Sequence, residues 1–117
     1  MHNFKELKVW QKGRFFVKDI YLLTHDFPKE ELFVMTSQMR RAAISIPSNI
    51  AEGSGRGTDK DFSRFLDIAT GSAFELESLI YTGYDLNYYS EQTLNSYLEK
   101  VQEIQKMLFH FKNHLNQ

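Results

Sequence analysis

The sequence predicts an all-α protein, an antiparallel up-down-up-down four-helix bundle that assembles as a homo-oligomer. Three observations carry the fold. Apolar residues recur at spacings of three and four through most of the 117 residues, which is the period of one helix face and not the alternation of a strand. Only two prolines and six glycines punctuate the chain, mostly where that period stops. The four periodic stretches of about 20 to 28 residues, each roughly 30 to 40 Å long as a helix, are joined by short connections that favour antiparallel neighbours. Length alone places residues 1–117 in one domain.

The first stretch runs from about Phe4 to His25, with Val9, Gly13, Phe16, Ile20 and Leu23 on one face. His25-Asp26-Phe27-Pro28 ends it, because the residue before a proline is pushed out of helical geometry. Pro28 suits a first helical position, and Glu30 and Glu31 suit a first turn. The second stretch repeats Leu32, Met35, Met39, Ala42, Ile46 and Ile50. Pro47 lies inside it. The apolar phase passes from Ile46 to Ile50 without a shift, which predicts one kinked helix and not an end near Ser45. Gly53-Ser54-Gly55-Arg56-Gly57 is the clearest break.

Thr58, with Asp61 three residues on, resembles a capping box. Behind it Phe62, Phe65, Leu66, Ala69, Ala73, Leu76, Ile80 and Gly83 give a third helix to about Leu86. Ser90 is the natural N-cap of the fourth. There Leu94, Tyr97, Val101, Ile104, Leu108, Phe111 and Leu115 repeat almost without exception.

The composition, 42% hydrophobic and 25% charged, is ordinary, but 15% aromatic is more than one small core needs. The surplus has an address. On the first helix Trp10, Val17 and Tyr21 form a second line, with Arg14 in it. On the third, Ile68, Leu79 and Leu86 lie on one flank and Phe74, Tyr81 and Tyr84 on the other. A bundle helix needs one apolar stripe, so a second one points to contact between copies. Scattered surface aromatics or a small-molecule pocket are the alternatives.

Gln38, Arg41, Ser45, Ser48, Asn49, Glu52 and Arg56 share one sector of the second helix. Short hydroxyl and amide side chains are poor helix formers and suit close contact, so Ser45, Ser48, Asn49 and Glu52 are candidates for an interface or a protein partner. On the structural reading Ser45 and Ser48 serve backbone groups freed by Pro47, and Glu52 pairs with Arg56.

Charge is unevenly placed. Residues 1–64 hold eleven Lys and Arg against eight Asp and Glu, for +3, and residues 65–117 hold three against seven, for −4. Arg40, Arg41, Arg56, Lys60 and Arg64 are the candidate nucleic-acid contacts around the Gly-rich turn, and oligomerisation would multiply such a patch.

Chemical machinery is not apparent. With no cysteine there is no disulfide and no thiolate ligand or nucleophile. Glu75 and Glu77 point to different sides of a helix, His110 and His114 lack a third ligand, and the glycines at 53, 55 and 57 neither follow a strand nor carry a P-loop Lys. No catalytic residue, cofactor or metal is expected. The opening MHNFKELKVW resembles no targeting peptide, and no apolar run approaches the roughly 18 residues of a membrane span, so the expected location is the cytoplasm.

The chain resembles the bacterial 23S rRNA intervening-sequence protein family. The resemblance rests on Phe4-x-x-Leu7-x-Val9-Trp10-Gln11-Lys12, on Phe27-Pro28-Lys29-Glu30-Glu31, on the long phrase from Thr36 to Gly53, and on Phe62-x-x-Phe65-Leu66-x-Ile68-Ala69 and Gly71-Ser72-x-x-Glu75-Leu76-Glu77. Phe33 and Ser54 depart from it, standing where similar sequences often carry Tyr and a bulky aromatic. The resemblance implies a ring-like homopentamer of four-helix bundles. It also implies similarity to the accessory variability determinant proteins of diversity-generating retroelements, pentameric bundles thought to engage nucleic acid and a reverse transcriptase. The family name reflects where some members are encoded, within insertions in rRNA genes. The expected function is therefore a non-enzymatic, homo-oligomeric bundle that binds structured RNA or DNA; the alternative is a protein-interaction scaffold without nucleic acid.

Overall fold

The computed structural model describes residues 2–116, and four long helices account for most of them: α1 (Lys8–Thr24), α2 (Ser37–Ser54), α3 (Asp59–Asp85) and α4 (Glu91–Leu115). No strand occurs among the described residues. The molecule measures 44 × 25 × 20 Å.

The first helix starts later than its apolar period suggests. Asn3 caps a separate 3₁₀ turn, Phe4–Glu6, by accepting from the Lys5 amide at 3.2 Å, and Leu7 is extended. This break folds Phe4 back onto Trp10, with ring centroids 5.0 Å apart. The other end agrees with expectation: α1 stops at Thr24, before Pro28. Thr24 is buried and donates its hydroxyl to Ile20 O, taking the inner place expected of Leu23, which is only half-buried.

The start of the second stretch is the larger departure. Pro28 leads into a 3₁₀ turn, Lys29–Glu31, followed by one π-helical turn, Leu32–Thr36, before α2 begins. A π turn holds an extra residue, which rotates everything before it relative to the α-helical register. Leu32, expected on the core stripe, is consequently 49% exposed, while Met35 and Met39 remain buried.

The helix α2 runs through Pro47 to Ser54, as the unbroken apolar phase indicates. An interior proline ordinarily costs about 3 kcal/mol. Here its ring is buried against Gly13 of α1, where an added Cβ would lie 3.6 Å from Pro47 Cδ and 3.3 Å from Ile46 Cγ2. Close packing of α1 on α2 thus offsets part of that cost.

Thr58 and Ser90 cap α3 and α4 by accepting from the amides of Asp61 and Thr93, each at 3.1 Å. At the far end of α3 the amide of Tyr88 reaches Gly83 O and that of Asn87 reaches Tyr84 O, with Asn87 left-handed at φ 66°. This is a Schellman stop in which Asn fills the place usually taken by Gly. The turn also brings the Tyr89 hydroxyl onto Ile80 O at 2.6 Å and so close to Gly83 that any side chain there would overlap it.

Ile20, Met39, Ile46, Ile50, Phe62, Leu66, Leu76, Ile80, Val101 and Leu108 form the centre of the core. Part of the aromatic surplus closes one end of the bundle. Phe27 stacks against Tyr88 and Tyr89, and Tyr88 donates to Glu31, joining the α1–α2 and α3–α4 connections. Leu79 and Tyr84 pack on the edge of the core, as Trp10 and Val17 do.

Candidate nucleic-acid and subunit interfaces

The five candidate cations separate into two groups. Arg40 and Arg41 lie in the first turns of α2, whereas Arg56, Lys60 and Arg64 flank the Gly-rich turn, about 24 Å further along at 1.5 Å per residue. The expectation of one cluster around that turn is corrected by the rigidity of the helix between them.

At the Gly-rich turn, Asp61 gathers two arginines. Its carboxylate takes Arg64 Nε at 3.0 Å and Arg56 Nε at 3.5 Å, and each guanidinium lies 4.6 Å from the buried Phe65 ring. The aromatic floor and the shared carboxylate hold both planar heads in place. Lys60 is exposed beside them and has no ion-pair partner among the described residues. The chain start comes to the same end: His2 N donates to Ser54 O, and its ring packs on Phe62 and Phe111. This placement puts exposed Lys5 and Lys8 on that end too. The expected Glu52–Arg56 pair does not form, because Asp61 takes the arginine.

The opposite end is acidic. Asp26, Glu30, Glu31, Asp85 and Glu91 lie in or beside the two connections that Phe27 and Tyr88 join, against Lys29 alone. The hydrogen bond to Glu31 raises the Tyr88 pKa, and burial raises that of Tyr89.

Arg40 is held across the helices: its Nε donates to Thr24 Oγ1 at 2.9 Å and its guanidinium covers Tyr21 at 4.4 Å. Arg41 is exposed and carries no ion pair among the described residues. Trp10 and Val17 are half-buried. They line a groove of about 370 Å³ between α1 and α2 with Phe4, Arg14, Ile44, Pro47, Ser48 and Ala51. Arg14 sits 5.5 Å from the Trp10 ring centre at its rim. On α3, Phe74 is 55% and Tyr81 45% exposed.

The polar track of α2 divides by use. Ser45 accepts from Ser72 Oγ of α3 at 2.8 Å and from Asn49 Nδ2 at 2.9 Å, and Asn49 also donates to Ser45 O. These two residues fasten α2 locally and to α3. Ser48 and Glu52 are exposed, and Ser48 forms a wall of the α1–α2 groove. Glu75 accepts from Gln38, and Glu77 from Gln102 and Gln105, so the two carboxylates face different helices. Among the described residues no three His, Asp or Glu side chains converge as a metal site, and no helix is long and apolar enough to cross a membrane.

The feature missed by the periodicity is the exposure of Leu32, Phe33 and Val34, with Phe33 at 89%. A signal existed: Leu32-Phe33-Val34-Met35 is four apolar residues in one turn, more than one stripe accommodates.

Comparison with known proteins follows the same fold. The family model described as 23S rRNA-intervening sequence protein matches residues 5–110. A solved structure of a protein of unknown function from the S23 ribosomal protein family of Bacteroides thetaiotaomicron VPI-5482 superposes with a TM-score of 0.82 at 27% identity, covering 90% of this chain and 95% of that one. Comparison with curated proteins finds no match. A family model spanning nearly the whole chain and a solved fold that agrees with it lead to one assignment: the protein belongs to the 23S rRNA-intervening sequence protein family.

Proposed function

We propose that the protein is a non-enzymatic, homo-oligomeric bundle that binds structured RNA through the basic end of each subunit. A single domain over residues 1–117, folded as an antiparallel up-down-up-down bundle, is the repeating unit, and a ring of five is the expected assembly. The observation that carries the reading is the Arg56–Asp61–Arg64 arrangement on Phe65 beside exposed Lys60. Asp61 meets each arginine at Nε, and the remaining guanidinium donors are the ones to meet phosphate oxygens. The acidic character of the other end supports an orientation in which only the Gly-rich turn end faces nucleic acid. A cytoplasmic setting suits such a ligand.

Assembly is supported by spacing and charge. Phe74 and Tyr81 are seven residues apart on α3, as Trp10 and Val17 are on α1. The α3 face also carries exposed Asp85, and Asp67 paired with Lys112, while exposed Arg14 and Lys18 lie beside the α1 groove. Two different surfaces that complement each other make a head-to-tail contact, the kind that closes a ring. Salt-titrated binding of an rRNA fragment tests the function: affinity that falls steeply with salt supports it, and affinity indifferent to salt overturns it.

A further inference from the structure

The π turn creates a surface apart from the Gly-rich turn and adjoining the Trp10–Val17 groove, with Ile44 on the border of the two. It holds Leu32, Phe33 and Val34 outward as three successive apolar residues, 49%, 89% and 56% exposed. Tyr21 and Ile44 continue the apolar surface along the α1–α2 seam. Phe33 stands between two open grooves, one of about 320 Å³ toward α1 and one of about 510 Å³ toward α3, and Arg41 lines both. Single exposed hydrophobics are unremarkable, but a contiguous apolar ledge rimmed by charge marks a docking site, and π turns concentrate at functional sites.

The charges on the ledge select the occupant. Arg40 has only neutral partners, the Thr24 hydroxyl and the Tyr21 ring, and Arg41 has no ion pair among the described residues. Both therefore bring charge that no carboxylate of their own chain pairs. Three successive exposed apolar side chains give a phosphate backbone nothing to pack on and suit an apolar stripe. A second copy is accounted for elsewhere, since the spacing of its Phe74 and Tyr81 matches Trp10 and Val17. From Leu32 to Ile44 the ledge follows α2 for about 18 Å, three turns of a helix.

We propose that the ledge docks an acidic amphipathic helix of a different protein, its apolar stripe on Leu32, Phe33, Val34 and Ile44 and its carboxylates against Arg40 and Arg41. Recognition of this kind reads an apolar stripe at helical spacing through a groove, with charge fixing orientation.

Two synthetic helical peptides test this, one with Leu at the core heptad positions flanked by Glu and its twin with Lys for Glu. Fluorescence anisotropy with the full-length protein should show binding of the acidic peptide alone, weakened by at least about tenfold in both Phe33→Ser and Arg41→Glu. Exposure at Phe33 means the variant keeps its fold, checked by an unchanged thermal midpoint, and RNA affinity of Phe33→Ser should match wild type. Equal binding of the two peptides, or acidic-peptide binding indifferent to Phe33→Ser, overturns the proposal. So does a fall in oligomer mass in Phe33→Ser, which would assign the ledge to a second copy.

Discussion

Replacing Arg56, Lys60 and Arg64 together by Gln removes the charge proposed to meet phosphate while keeping long side chains over Phe65. The structure sets the size of the effect. Asp61 binds both arginines, so the three cations and Asp61 together carry +2, and the triple variant leaves Asp61 alone at −1, a net loss of three charges. Each neutralised phosphate contributes about 0.7 to 0.9 to the slope of log affinity against log salt, or roughly 0.6 to 0.7 log units at about 0.15 M salt. Three such charges give a loss of about 100-fold at that salt and a slope shallower by about 2.1 to 2.7. The same reasoning gives the opposite sign at Asp61: Asp61→Asn frees the arginines and should tighten binding by about 4-fold to 5-fold. The assay is filter binding or anisotropy with an rRNA fragment across a salt series, with circular dichroism confirming the fold. A triple variant that binds as wild type does, or an Asp61→Asn variant weakened as much as the triple, refutes the reasoning.

Other expected outcomes concern assembly and stability. Phe74→Glu, on an exposed site of α3, should lower the particle mass measured by light scattering toward the 13.8 kDa of one chain without unfolding it. Gly83→Ala places a methyl against the Tyr89 hydroxyl and should cost about 1 to 3 kcal/mol by urea denaturation. Burial holds the Tyr89 hydroxyl above its usual 10 in the folded state, and burial and Asp19 do the same to Tyr97. Folding therefore retains protons that the unfolded chain releases above about pH 10, so stability is full below that pH and declines above it. Thermal midpoints should fall from pH 10 upward in wild type and more gently in Tyr89→Phe/Tyr97→Phe; an identical decline in both removes the tyrosines from the account.

Much of this fold is legible in the residues because each level agrees with the next. Thr58 and Ser90 announce α3 and α4, and the Ile46-to-Ile50 phase carries α2 across Pro47, whose ring has a place against Gly13. The π turn is not legible in that way. Periodicity assumes 3.6 residues per turn throughout, so one inserted residue misplaces Leu32 and conceals Phe33 and Val34. Ser54 shows the same limit from another side. It is buried, donates to Ala51 O and receives the His2 amide at its carbonyl, so a bulky aromatic there would displace the chain start.

The candidate site was legible in kind and not in placement. Lys60, Arg56 and Arg64 share one end, and Trp10 and Val17 line a groove while packing on the edge of the core. Sequence proximity could not show that Asp61 stands between the arginines, nor that Arg40 is held by Thr24 and Tyr21 across α1 and α2. Those are contacts between elements, set by how the helices pack. Ser45 and Asn49 make the same point: as helix-face residues they suggest a partner, and within this chain Ser45 bonds to Ser72 of α3 while Asn49 bonds to Ser45.

The central claim joins assembly with nucleic acid, and one measurement addresses both: light scattering with absorbance at 260 and 280 nm on the protein as isolated, at low and high salt. The account predicts a particle near five times 13.8 kDa that carries nucleic acid at low salt and releases it at high salt while staying assembled. A 13.8 kDa particle with a pure-protein absorbance ratio under both conditions would contradict it.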